Sequence, residues 1–119
     1  MFYATDNKGF KLTFKNGWTI SVQFGPGNYC NNREDAYDTY RTKTTGGHLQ
    51  RCESSDAEIA IWRNGGKLEQ ITAHDTVAGW VAADTVARVI AVLQAATGRK
   101  RKAVSAVAAI IREAAADDD

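Results

Sequence analysis

A chain of 119 residues with 44% hydrophobic and 24% charged side chains has the size and composition of one globular domain, which excludes wholesale disorder. No apolar run approaches the roughly 20 residues of a membrane-spanning helix. The opening "MFYATDNKGF" lacks the basic region and apolar core of a secretory signal, so a cytosolic setting is expected. A formal charge of +1 argues against a strongly electrostatic nucleic-acid binder. That charge is unevenly spread. Residues 1–98 carry ten basic and ten acidic side chains, whereas the tail opens on Arg99, Lys100, Arg101 and Lys102 and closes on Asp117, Asp118 and Asp119.

Phe10, Leu12 and Phe14 alternate with Lys11, Thr13 and Lys15, the period-2 pattern of a strand with one buried face. Asn16 and Gly17 follow, the preferred pair of a type I′ turn, whose central residues both need positive φ. Trp18, Ile20, Val22 and Phe24 then alternate with Thr19, Ser21 and Gln23, completing a β-hairpin that Gly25, Pro26 and Gly27 end. A second hairpin is predicted from Asp56. Ala57, Ile59 and Ile61 share a face, Asn64, Gly65 and Gly66 supply the turn, and residues 67–71 form the return strand. Leu68 and Ile71 are out of phase in it, as at a bulge.

Val86, Val89, Ile90, Leu93 and Thr97 fall on one helical stripe. Asp84 suits the positive end of that helix, and Gly98 stands where a C′ glycine would. Trp80, just before the helix, is expected to help close the core. The last segment also has helical composition, with Val104, Val107, Ile111 and Ala114 on one face. Its cations stand at the N-terminal end and its aspartates at the C-terminal end, and each misplaced charge costs a few tenths of a kcal/mol. A helix of about a dozen residues is marginal alone, so this one is either held by packing or frayed. The predicted fold is α+β: two β-hairpins form a small antiparallel sheet packed against a helix, with an extra terminal helix beyond it. Residues 1–98 make a single domain with a long loop at 25–56, and residues 99–119 are a charged helical tail or extension.

The loop from Gly25 to Asp56 carries no clear strand or long helix, and a connection of such length is usually functional or disordered. Asn32 could cap a short helix within it that brings Tyr37 and Tyr40 to one side. Tyr29, Tyr37 and Tyr40 are interleaved with Arg33, Arg41 and Arg51, the composition of a recognition surface. Cys30 and Cys52 bracket the loop. A disulfide between them is not expected to persist in a reducing cytosol. With His48 and His74 they make a Cys₂His₂ set whose spacing fits structural zinc poorly, so neither a metal nor another cofactor is expected. Cys52, His48 and Asp56, or Ser54 and His74, could be drawn as catalytic sets, but nothing fixes their geometry. No P-loop, dinucleotide fingerprint or nucleophile elbow is present. The chain is expected not to be an enzyme.

The strings "FKNGWTISVQFGPGNYC" and "SSDAEIAIW" together resemble a set of small, largely uncharacterised accessory proteins encoded in bacteriophage and prophage genomes. Those share a strand, an Asn-Gly turn, a "SVQFG…NYC" strand and exit, an "AEIA" strand and a C-terminal helix. The likeness covers residues 9–95 and leaves the tail outside it. It implies a protein of the host bacterial cytoplasm that binds and blocks a host component, defence systems such as CRISPR effectors included, and it carries over no catalytic residues. The leading reading is therefore a non-enzymatic, anti-CRISPR-like inhibitor that occludes a host protein through Tyr29, Arg33, Tyr37, Tyr40 and Arg41. One alternative is nucleic-acid binding through Arg99, Lys100, Arg101 and Lys102, because four cations suffice for weak, salt-sensitive association. The other is a homo-oligomer through residues 103–116, the cations of one chain lying beside the aspartates of the next.

Overall fold

The structure is a computed structural model and describes residues 1–6, 8–25, 27–31 and 53–117. Strands β1 (Phe2–Ala4), β2 (Gly9–Thr13), β3 (Trp18–Gln23), β4 (Asp56–Arg63) and β5 (Ala78–Ala82) form one antiparallel sheet in sequence order. Helices α1 (Ala83–Ala95) and α2 (Lys100–Asp117) follow. The α+β class expected from the sequence holds, with a five-stranded meander in place of two separate hairpins.

Register explains the core. Leu12 lies opposite Ile20 and Ile20 opposite Ile61, while Phe10 lies opposite Val22 and Val22 opposite Ile59. Period-2 alternation thus brings the apolar residues of three strands onto one face. Helix α1 covers β3, β4 and β5 on that face, burying Val86, Val89 and Leu93. The opposite face is polar and internally bonded. Thr13 and Thr19 hydroxyls meet at 2.8 Å across β2 and β3, and the Gln23 amide reaches Ser21.

The terminal helix forms and packs along α1, burying Ala103, Val107 and Ile110 in the same core cluster. Its buried stripe is rotated from the one the sequence suggests, since Val104 and Ile111 are only half-buried. This packing answers the dipole mismatch at its ends, because buried apolar contact outweighs a few exposed charges.

Four expectations need correction. Residues 67–71 are not a strand. Only Glu69 donates its amide to Ile61, at 2.9 Å, and the partner of β4 is β5. Ile71 is buried while Leu68 is exposed, so the two apolar residues serve an irregular crossing and not a pleat. The β2–β3 turn is not type I′, for Gly17 has φ +91° but Asn16 does not share positive φ. Phe14 accepts from Gly17 and donates to Trp18, the three-residue loop closed by a left-handed glycine. The paired positive φ of type I′ occurs instead at Asn64 and Gly65, 52° and 73°.

Helix α1 ends before Gly98 and is not capped by it. Asn16 does that work: its amide nitrogen donates to the carbonyls of Leu93 at 2.7 Å and Ala96 at 3.0 Å. Its amide oxygen accepts from the Trp18 backbone at 3.1 Å. Finally, Trp80 stays out of the core, 53% exposed, and Trp18 at 2% is the buried indole.

Asn16 thus ties the hairpin turn to the end of a helix 77 positions away. Asn16→Ala is expected to lower the unfolding free energy by about 1–2 kcal/mol in urea titration. An unchanged midpoint would contradict the cap.

Candidate functional site

Strand β4 presents Ala57, Ile59 and Ile61 to the core, so Asp56 and Glu58 project from the other face. Those two carboxylates grip the chain as it leaves β3. Glu58 Oε2 accepts the Tyr29 amide at 2.7 Å, and Asp56 Oδ1 accepts the Asn31 amide at 2.6 Å. Asn31 also donates from its side chain to Ser55 Oγ at 2.8 Å. A carboxylate accepting backbone N–H groups makes the stronger, charge-assisted kind of hydrogen bond. Ahead of them, Asn28 closes a tight turn by accepting the Gly25 amide at 3.0 Å, and the buried Cys30 thiol points at the Gly25 carbonyl.

The far side of this grip is β5. Ala57 pairs with Val81 and Ile59 with Ala78, so Glu58 alone faces Gly79 and Trp80. This is a β-bulge, a device that re-aims a side chain. Trp80 there adopts φ +51° and donates its amide to the Tyr29 carbonyl at 2.8 Å. The two rings then stack, centroids 5.8 Å apart and planes 29° apart, with Tyr29 42% and Trp80 53% exposed. A left-handed backbone at a bulky residue costs about 1–2 kcal/mol, and in that conformation Trp80 makes both its amide bond and its ring contact to Tyr29. Gly79 permits the approach: a Cβ there would lie 2.7 Å from the Tyr29 Cβ.

Two grooves open on the surface, the first of them lined in part by Trp80. One, about 430 Å³, runs between β5 and the helices and is lined by Trp80, Val81, Thr85, Arg88 and Ile111. The other, about 380 Å³, lies between the sheet and α1, walled by Phe10, Phe24, Val86 and Ile90 and rimmed by Ser54 and Asp56.

Of the recognition residues read from the sequence, Tyr29 is placed on this surface. Arg33, Tyr37, Tyr40 and Arg41 lie outside the described residues, as do Cys52 and His48. Arg99, Lys100, Arg101 and Lys102 are all exposed at the opposite end of the sheet, where the chain enters α2. Among the described residues no cluster of three or more His, Cys, Asp or Glu side chains could hold a metal, and no helix is long and apolar enough to cross a membrane.

Sequence reading missed Trp80 as Tyr29's partner and missed Asp56 and Glu58 as the clamp. The clamp had a visible signal, two carboxylates alternating with the most apolar strand of the chain. The bulge had none beyond the glycine before Trp80. Compared with family models, curated proteins and solved structures, the chain matches none.

Gly79→Ala is expected to push Tyr29 off Trp80 and to destabilise the protein by about 1–3 kcal/mol. Loss of the stacked-ring signal in near-ultraviolet circular dichroism reports the displacement. A variant with wild-type stability and spectrum would contradict the close approach.

Proposed function

We propose that this chain is a non-enzymatic accessory protein of the phage type that binds a host protein and blocks it sterically, as an anti-CRISPR-like inhibitor of a defence system in the bacterial cytoplasm would. The observation that supports this most is the exposed Tyr29–Trp80 stack, held in a strained backbone. Tyrosine and tryptophan dominate binding hot spots because they bury much area for little lost freedom. Holding the rings in place beforehand removes part of the ordering cost of association. The groove beside Trp80 offers a partner side chain a partly apolar seat next to the ring. Arg33, Tyr37, Tyr40 and Arg41 follow Tyr29 directly in the sequence and would extend the same surface.

The homo-oligomer reading has less in its favour. Ala103, Val107 and Ile110 of α2 are already buried within the chain, so the apolar stripe that a second copy would need is largely used.

Two experiments test the proposal together. Tagged protein is incubated with nuclease-treated bacterial lysate, beside a Tyr29→Ala/Trp80→Ala variant whose unfolding midpoint has been measured. A stoichiometric protein partner captured by the wild type and lost from the folded variant is the expected result. In parallel, expression of the wild type is expected to restore phage plating on a defence-protected strain, and expression of the variant is not. Equal capture by both proteins, or no rescue of plating, overturns the proposal.

A further inference from the structure

Three turns meet at the end of the sheet opposite the aromatic pair. The β2–β3 turn touches the β4 turn through the Gly17 carbonyl, which accepts the Asn64 amide at 2.9 Å. It also touches the end of α1 through Asn16. The guanidinium of Arg63, lying 5.7 Å over the Trp18 ring, donates to the Gly98 carbonyl at 3.1 Å and so joins β4 to the connection between the helices. Lys15, Arg63, Lys67, Arg99, Lys100, Arg101 and Lys102 all belong to these turns or the residues beside them. One carboxylate pairs with them: Glu69 holds Lys100 at 3.1 Å. Lys15, Lys67, Arg99, Arg101 and Lys102 are exposed and pair with none of the described residues.

We infer that this pole is a binding site for the phosphate backbone of nucleic acid, assembled from three turns and not from the 99–102 run alone. Two features set it apart from an ordinary solvated charge run. First, the cations come from segments as distant as Lys15 and Lys102, and the fold brings those segments to one end, where their fields add. Second, α2 starts here with no acidic residue in its first turn, so the positive end of its dipole adds to the cations. Phosphate is the ligand chemistry that relieves both at once. The negative end of α1 is also here, but its last carbonyls are already bonded by Asn16 and do not draw on those five side chains. Contact is with the backbone and independent of sequence, since long, exposed lysine and arginine side chains reach phosphate oxygens without reading base edges. This site lies apart from the aromatic pair and does not rest on the protein-binding proposal.

The test is fluorescence anisotropy with a labelled DNA duplex of about 20 base pairs at salt concentrations from about 50 to about 200 mM. Four to six phosphates neutralised would make affinity fall by roughly 10²–10³-fold across that range or more steeply. Lys15→Gln/Lys67→Gln, two exposed sites distant from the run in sequence, is expected to lower the salt slope by about 2, as is Arg101→Gln/Lys102→Gln. Urea midpoints equal to wild type show that both variants fold. No binding to duplex at the lowest salt overturns the inference. So does tighter binding to phosphatidylserine vesicles than to duplex. A slope unchanged in Lys15→Gln/Lys67→Gln overturns the three-turn site, because the run alone would then account for binding.

Discussion

Two carboxylates on one strand decide how this chain leaves β3 and what the exit meets. Asp56 and Glu58 must leave the core because Ala57 and Ile59 enter it. The polar face they reach would otherwise solvate them. Here they take the backbone amides of Tyr29 and Asn31 instead, fixing the departure of a chain that has just left β3. The Tyr29 carbonyl is then left to accept Trp80, and the bulge opposite Glu58 turns that indole outward. Alternation in β4, the clamp, the bulge and the stacked rings form one causal sequence. Each step is local, and the first is dictated by burying Ile59 and Ile61.

The same sheet serves two ends of different character. At one end, carboxylates face inward onto backbone amides and aromatic rings face solvent. At the other, Asn16 fastens α1 and Arg63 fastens the interhelix turn, while exposed lysines and arginines collect around them. Helix α2 spans the helical layer with its cations at the basic end, an arrangement its own dipole disfavours and packing through Val107 and Ile110 must offset. A formal charge of +1 conceals this separation, because composition sums over both ends.

The parts of the fold readable from the sequence are those in which burial imposes a period. β2 and β3 alternate, β4 keeps Ala57, Ile59 and Ile61 on one face, and α1 carries its stripe, so all were legible. β1 was not: its three residues are exposed and have no core to answer to. β5 was hidden because a bulge breaks its alternation and places its largest residue outside. Residues 67–71 were read as a return strand because turn residues precede them, and their out-of-phase Leu68 and Ile71 mark the difference: one is exposed and the other fills the core singly. Asn16 was read for its turn propensity, and a tertiary partner claimed its side chain. At the site, Tyr29 was legible as part of a Tyr- and Arg-rich stretch. Trp80, which gives it a fixed partner, was not, because no local pattern in sequence records a stacking contact across 51 positions.

The central claim is that the aromatic pair is built before any partner arrives, and backbone hydrogen exchange followed by NMR on the free protein addresses it most directly. The account predicts slow exchange at the amides of Tyr29, Asn31 and Trp80. In Glu58→Ala that protection should be lost at Tyr29 and Trp80 while Ile20 and Val22 in β3 keep theirs, because the clamp holds the exit and not the core. Fast exchange at Tyr29 and Trp80 in the wild-type protein would contradict it, and would mean that the stack forms only on binding.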